Sequence, residues 1–165
     1  MGLDHWLTGE QYISSYDHNP KEVELQKTLA GVLSDYNGKN NCHQHPNPDP
    51  FPVNTVEYQI IQWRKANQIH SWFVENVQSG KDDCGRYYVS TKQLRDLLDI
   101  CNEVKAHWGN PEKVRATLPP ANGFFFGSQD INEWYKEDIE NTIEALQKVF
   151  DGNFNHLEFY YGSSW

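Results

Sequence analysis

The chain has 165 residues, which suits one domain, and a chain of that size buries roughly 70% of its unfolded surface. Its net charge of −9 argues against broad binding to duplex nucleic acid, whose phosphates attract basic proteins. No apolar run approaches the roughly 18 residues of a membrane span. Three cysteines, with no apolar leader before them, favour free thiols in a reducing compartment. We therefore expect a cytoplasmic protein with neither duplex DNA nor a membrane as its partner.

The first 53 residues predict one strand, one helix and one long loop. Residues 1–12 alternate in part between apolar and polar side chains, which indicates a strand. Residues 21–36 carry apolar side chains at helical spacing, with Pro20 at the first turn and Gly38 after the last. Residues 37–53 contain four prolines and four asparagines without periodicity, which predicts a loop insertion.

Residues 54–80 predict the central helix of the fold. Wound at 100° per residue, the segment is apolar on nearly all sides, as in a buried helix. Three polar side chains, Lys65, Asn67 and His70, fall within its apolar arcs. A buried polar group without a partner costs roughly 1–3 kcal/mol. We therefore expect either an internal hydrogen-bond network or a ligand site along this helix.

The second half of the chain predicts two further helices and two short strands. Residues 86–89 and 157–161 are rich in aromatic and β-branched side chains, as strands are. One helix runs from a Ser90 or Thr91 cap to about residue 108, and residues 111–115 add one turn. The last helix, 129–150, is predicted to start at a Ser128 cap and to turn Trp134 inward.

The predicted fold is α+β and a single domain spanning residues 1–165. About four helices surround the central one, since no regular strand–helix–strand series favours a doubly wound sheet. A small, mainly antiparallel sheet is expected to pair the N- and C-terminal strands, which would hold both ends of the chain.

Four blocks carry a resemblance to a known group of proteins. They are Met-Gly-Leu-Asp at residues 1–4, Trp-Arg-Lys-Ala-Asn-Gln-Ile-His-Ser-Trp-Phe at 63–73, Gly-Phe-Phe-Phe-Gly-Ser at 123–128, and the aromatic end of the chain closing with Ser-Ser-Trp. With these blocks the sequence resembles a family of small proteins from tailed phages and prophages. The resemblance implies expression in a host bacterial cytoplasm, and it implies no activity.

The central segment also carries the candidate ligand site. Arginine offers a planar fork and lysine a point charge to a phosphate or carboxylate. An asparagine reads amides or base edges, and aromatic rings stack on flat ligands. The candidate ligand-binding residues are Arg64, Lys65, Asn67, His70, Trp63, Trp72 and Tyr58. They favour a small anionic or nucleotide-like ligand, and the alternative is a purely structural polar network.

Other side chains leave three further interpretations open. His70 with Asp82, Asp83 or Asp4 would suit a hydrolase, in which the imidazole acts as general base. The weak metal candidates Cys42, His43 and His45 are nearly adjacent, whereas zinc ligands usually come in spaced pairs. The acidic last helix would suit a basic host protein.

The leading hypothesis is a phage-type, non-enzymatic binding protein that holds a small polar or nucleotide-like ligand against the central helix, and that could in this way sequester a host defence signal. The alternative is a protein–protein inhibitor that acts through an acidic aromatic surface, and a hydrolase using His70 comes third. We expect no cofactor, no metal and no assigned catalytic residue, and we leave self-association open.

Overall fold

The computed structural model describes residues 2–13, 20–40, 53–123, 126–152, 154 and 156–165. In this part of the chain, five helices and four antiparallel strands form an α+β fold, which confirms the predicted class. The strands are β1 (Asp4–Tyr12), β2 (Thr55–Arg64), β3 (Tyr87–Val89) and β4 (Glu158–Ser164). The helices are α1 (Pro20–Asn40), α2 (Asn67–Asn76), α3 (Thr91–Ala106), α4 (Pro111–Thr117) and α5 (Glu133–Asp151).

The strand order in the sheet is β2-β1-β4-β3. The N- and C-terminal strands are therefore neighbours, as the sequence predicts. Strand β3 pairs antiparallel with β4, so that Tyr87 lies opposite Tyr161 and Val89 opposite Phe159. This pairing brings the end of the chain against a segment that follows α2.

The backbone contacts divide the chain into two compact units. Residues 1–9 and 58–165 form the first unit, and residues 10–57 form the second. Within the second unit, Ile13 donates a backbone hydrogen bond of 2.9 Å to the carbonyl of Asn54. The Gln26 side chain donates one of 3.2 Å to the carbonyl of Val53. The functional candidates in the described residues belong to the first unit.

The core of the first unit joins buried side chains of α2, α3 and α5 with those of β1, β3 and β4. Tyr161 of β4 stacks on Phe73 of α2, with ring centroids 3.9 Å apart and planes 9° apart. Leu94, Leu97 and Cys101 of α3 are fully buried in the same cluster. Helix α3 starts with a complete capping box, in which Ser90 and Gln93 exchange hydrogen bonds. The predicted cap at Ser90 is confirmed.

The predicted helix over residues 54–80 is wrong in its first half. Residues Thr55–Arg64 form strand β2, and the helix is limited to Asn67–Asn76. The segment TVEYQIIQWR is rich in β-branched and aromatic residues, which pack well on a pleated surface. Apolar residues therefore fall on nearly all sides of a helical wheel because the first half of the segment is a strand and not a helix. The helical remainder, α2, is buried over much of its length, as expected for the central helix.

Two residues separate β2 from α2, and one has an unusual backbone. Lys65 has φ 62°, in the left-handed region that non-glycine residues seldom adopt. Its backbone N–H donates a hydrogen bond of 2.7 Å to the carbonyl of Leu3, and its carbonyl accepts one from the N–H of Asn67. The sharp bend lets the chain change from strand to helix at once.

The start of the last helix also differs from its prediction. Asn132, not Ser128, caps α5, because its side chain accepts a hydrogen bond from the N–H of Tyr135. Trp134 points outward and is 75% exposed, whereas the sequence predicts it inward. The predicted loop at 37–53 overlaps α1 up to Asn40, and residues 41–52 lie outside the described residues. Cys42, His43 and His45 therefore lie outside them as well.

None of the described helices is both long and apolar enough to cross a membrane.

Candidate functional site

The predicted site residues separate into a buried group and an exposed group. Asn67, His70, Trp63 and Trp72 are buried in the core of the first unit. Arg64, Lys65 and Tyr58 are exposed. The structure therefore does not bring all seven side chains to one ligand. It assigns the buried ones to the framework and leaves the two cations at an open cavity.

Asn67 uses both its amide group and its carbonyl oxygen to hold a loop. Its Nδ2 donates hydrogen bonds of 2.9 Å to the carbonyls of both Phe126 and Ser128. Its Oδ1 accepts a 2.9 Å hydrogen bond from the N–H of Ala121. The carboxamide at the start of α2 thus ties down the segment that precedes α5. Because Ser128 lines the polar cavity described below, Asn67 supports its wall.

His70 lies between a phenol and a carboxylate. Its Nδ1 is 2.6 Å from the Tyr161 hydroxyl, and its Nε2 is 3.2 Å from Oδ2 of Asp82. Burial raises the pKa of Tyr161, so the phenol stays protonated and donates to Nδ1. The proton on Nε2 can then point to Asp82, whose Oδ1 accepts a 3.0 Å hydrogen bond from the Trp165 indole. The imidazole is 1% exposed, so the network has a structural role.

A second histidine, His5, packs beside this network. It stacks on Trp63 with ring centroids 4.8 Å apart, and it lies 5.7 Å from the His70 ring. Neither ring nitrogen has a well-formed hydrogen bond in the described part of the chain. Burial first, and His70 second, hold the His5 pKa well below its usual value, against a weaker opposing contribution from the backbone of Ala66. His5 is therefore neutral in the folded protein.

The two predicted tryptophans are core residues. Trp63 donates a 2.8 Å hydrogen bond from its indole to the Thr142 hydroxyl on α5. Trp72 packs edge-on against Phe73, with centroids 5.2 Å apart. Tyr58 lies apart from both, in a cavity of about 350 Å³ between β2 and α5, whose lining includes Ile60 and Leu157. None of these three rings faces Lys65 across a shared cavity.

A larger cavity, of about 450 Å³, lies beside the bend between β2 and α2. We call it the polar cavity. One side consists of Arg64, Lys65 and Gln68. The other side is the first part of α5, and its lining residues are Asn132, Trp134, Tyr135 and Asp138. The segment with Gly127, Ser128 and Asp130 completes the lining. The volume falls within the range typical of small-molecule sites, roughly 300–1,000 Å³.

The cations at the rim have free capacity to bind. The Arg64 side chain is 75% exposed, and its Nε lies 4.0 Å from Asp4, at the outer limit for an ion pair. Among the ion pairs between described residues, none involves Lys65. The Lys65 stem lies near Gly127, where an added Cβ would come 3.1 Å from the lysine Cβ. Lys65 is therefore an exposed cation at the edge of the polar cavity.

Asp138 is the cavity residue that sequence reasoning missed. Its Oδ2 accepts a 3.2 Å hydrogen bond from the Gln68 side chain. Burial is the main cause that raises its pKa to about 6, against the lowering effect of Gln68. The sequence did hold a signal, because Asp138 shares helical spacing with the buried Tyr135 and Thr142. The acidity of the whole helix instead favours its interpretation as a surface for a basic partner.

Metal binding has no candidate group of three ligands among the described residues. The three predicted candidates lie outside them. Cys84 and Cys101 are free thiols, and burial raises the pKa of Cys101 to about 12, so it is not a thiolate at neutral pH.

Comparison with models of known protein families, with curated proteins and with solved structures finds no match. The resemblance to phage and prophage proteins therefore stays a prediction, and the functional argument depends on the cavities and the side chains around them.

Proposed function

We propose that this protein binds a small polar or nucleotide-like ligand in the polar cavity. The observation that carries the proposal is the meeting of two cations, Arg64 and Lys65, with the exposed Trp134 around about 450 Å³ of space. Anionic groups are held by such cations, and flat rings stack on an indole. Of the seven residues predicted to bind the ligand, we keep Arg64 and Lys65 in that role. Asn67 supports the cavity wall through its hydrogen bond to Ser128.

Binding without chemistry is the activity that this arrangement supports. The described lining of the polar cavity contains no histidine or cysteine, and His70 is occupied on both nitrogens. The hydrolase predicted on His70 needs an imidazole that reaches its substrate within hydrogen-bond distance, and this imidazole is buried and already paired. In the phage setting that the resemblance implies, a protein of this kind would sequester a host defence signal in the bacterial cytoplasm.

The first experiment looks for a bound molecule and then tests whether Arg64 and Lys65 hold it. Mass spectrometry of the purified protein should find a co-purified phosphorylated or nucleotide-like species. In a thermal-shift panel of mononucleotides, dinucleotides and cyclic nucleotides, at least one compound should raise the melting temperature of the protein. The double variant Arg64→Gln with Lys65→Met should lower the affinity for any compound found by at least about tenfold, because it removes two charge-assisted contacts.

A matched double variant controls for the change in net charge. Arg115→Gln with Lys113→Met removes the same two charges from α4, where both side chains are exposed and lie outside the polar cavity. It should bind like the original protein. A flat panel together with no co-purified species would refute the proposal, and so would equal affinities for the two double variants.

One observation favours the second candidate function, a protein–protein inhibitor. Trp134 is 75% exposed and is flanked by the exposed acids Glu133 and Glu137. An exposed tryptophan within an acidic rim is a suitable anchor for a basic partner surface. Under this alternative, Trp134→Ala would abolish capture of the host protein while binding of small molecules stayed absent.

A further inference from the structure

The polar cavity separates its charges between two sides. Arg64 and Lys65 lie at the bend between β2 and α2, while Asp138 and Trp134 lie on α5. Gln68 connects the two sides through its hydrogen bond to Asp138. A purely anionic ligand would have no use for the carboxylate, and a purely cationic one would be repelled by the arginine and lysine. The cavity therefore suits a molecule with an anionic end and a separate end that donates hydrogen bonds.

Asp138 has acceptor capacity that the protein does not use. A carboxylate can accept about four hydrogen bonds, and from the described residues Asp138 accepts one, through Oδ2, from the neutral Gln68 amide. No described cation forms an ion pair with it. A partly buried carboxylate with so few hydrogen-bond partners lowers the stability of the fold. Donors on a bound molecule would supply the missing partners.

Trp134 is placed to orient a ring towards that carboxylate. It precedes Asp138 by four residues on α5, so the two side chains lie on the same helical face, one turn apart. Both line the polar cavity, and the indole is 75% exposed. A flat heterocycle stacked on the indole would present its edge along the helix, in the direction of Asp138.

We propose that the polar cavity selects a nucleotide with a guanine-type base, whose edge donates two adjacent hydrogen bonds to Asp138 and whose phosphate lies at Lys65 and Arg64. This inference rests on the proposed function. Guanine presents a ring N–H beside an exocyclic amino group, and a carboxylate accepts from both. Adenine and cytosine place an acceptor beside their amino group, which would face the carboxylate unfavourably. Uracil presents a single N–H between two carbonyls.

Isothermal titration of the intact protein with three mononucleotides at pH 7.5 tests the base selectivity. Guanosine monophosphate should bind tightest. Inosine monophosphate lacks only the exocyclic amino group, so it should bind at least about tenfold more weakly, since one hydrogen bond to a charged acceptor is lost. Adenosine monophosphate should be weaker still. This comparison needs no variant, so it does not depend on the folding of an altered chain.

The variant Asp138→Asn tests whether Asp138 is the residue that recognises the base. A carboxamide accepts from the ring N–H and donates to a carbonyl, so the variant should lose affinity for guanosine monophosphate and gain affinity for xanthosine monophosphate. Glu137→Gln is the matched control, because it removes the neighbouring exposed carboxylate of the same helix outside the cavity. It should keep the original preference for guanosine monophosphate.

The outcomes separate this inference from the proposed function. Equal affinities for guanosine, inosine and adenosine monophosphates would overturn the guanine selectivity while leaving a nucleotide site in place. An Asp138→Asn variant that binds guanosine monophosphate as the original protein does would overturn the role of Asp138. Absence of binding to every nucleotide would overturn this inference, and the co-purification experiment would then decide on the proposed function.

Discussion

Tyr161 and His70 are 91 residues apart in the chain, yet the phenol oxygen and the imidazole Nδ1 lie 2.6 Å apart in the core. The contact joins β4 to α2, and α2 continues directly from the bend at the polar cavity. A buried hydrogen bond of this kind stabilises mainly because either partner alone would be left unsatisfied.

Removing the phenol oxygen should therefore destabilise the fold. Tyr161→Phe leaves His70 Nδ1 without its donor, and we expect a loss of about 1–2 kcal/mol. For a chain of this size that lowers the melting temperature by roughly 2–8 °C. Tyr88→Phe, at a ring that is 60% exposed, is the control and should change little. Equal melting temperatures for the two variants would show that the contact with His70 carries no net stability.

Asn67→Ala should weaken both the fold and the binding site. The variant leaves the carbonyls of Phe126 and Ser128 and the N–H of Ala121 without their partner. At about 1 kcal/mol for each hydrogen bond, we expect a loss of about 3 kcal/mol, which calorimetry would detect. The cavity wall at Ser128 should also move, so any nucleotide affinity should fall.

Asn141→Ala controls for the loss of a carboxamide. Asn141 is exposed on α5 and lies outside the polar cavity, so its removal should change the stability by less than about 0.5 kcal/mol. An Asn67→Ala variant with normal stability but no binding would instead place Asn67 in contact with the ligand, as the sequence predicts.

His5 should make the protein less stable in acid. The folded state holds His5 neutral, whereas the unfolded chain protonates it below about pH 6.5. Below that pH the unfolded state binds more protons than the folded state. The contribution of neutral His5 to the stability of the fold is therefore complete above pH 6.5, and it is lost as the pH falls towards the lowered folded pKa. The loss approaches about 1.4 kcal/mol for each pH unit. Thermal melts from pH 7.5 to 5.0 should show a shallower decline for His5→Leu.

His107→Gln is the control for the acid effect, since His107 is a helix-end residue whose Nδ1 lies near the carbonyl of Glu103. Its melts should follow those of the original protein across the same pH range. If His5→Leu also follows them, His5 is not the group that loses stability in acid.

Asp138 should change the pH dependence of stability in the direction opposite to that of His5. Its folded pKa of about 6 exceeds the ordinary aspartate pKa of 3.8, so between these values the folded state holds more protons than the unfolded chain. The unfolding free energy therefore falls as the pH rises through this window. At pH 7.5 Asp138→Asn should be more stable than the original protein by about 1–2 kcal/mol, after allowance for solvent screening of a partly exposed group.

The two melting curves should converge only well below pH 3.8, where Asp138 is protonated in both the folded and the unfolded state. Asp130→Asn is the control, because Asp130 lines the same cavity but is exposed and accepts a hydrogen bond from Ser128. It should bring no gain in stability. A loss of stability in Asp138→Asn at pH 7.5 would identify the carboxylate as a structural group. Since the His5 and Asp138 effects oppose each other, each variant must be compared with the original protein at every pH.

Much of the fold could be predicted because local signals agreed with the tertiary structure. Strand β1, helix α3, the short α4 and strand β4 lie close to where periodicity and capping residues place them, whereas α1 starts as predicted but continues through Gly38 to Asn40. The failure at β2 has a physical cause. Adjacent Ile60 and Ile61 obscure strict alternation, and a strand with partly buried side chains on both faces looks apolar at any period.

The candidate site was only partly predictable, because tertiary contacts decide which polar groups stay unpaired. The sequence places Asn67 and His70 among apolar neighbours, and the structure confirms that both have partners. It cannot show that those partners are the carbonyls of residues about 60 positions away and a phenol of β4. Asp138 was missed for the same reason, since the interior position of one acid in an acidic helix depends on where α2 packs.

The bend at Lys65 has a consequence for the thermodynamics of recognition. With φ 62° and both peptide groups hydrogen-bonded to neighbouring backbone, the residue sits in a conformation that it cannot leave without breaking the junction between strand and helix. The direction in which the lysine side chain leaves the backbone is thus set before any molecule arrives, and little backbone freedom remains to be lost on that side. We expect association at the polar cavity to order the exposed lysine side chain but to require little movement of the main chain at this bend.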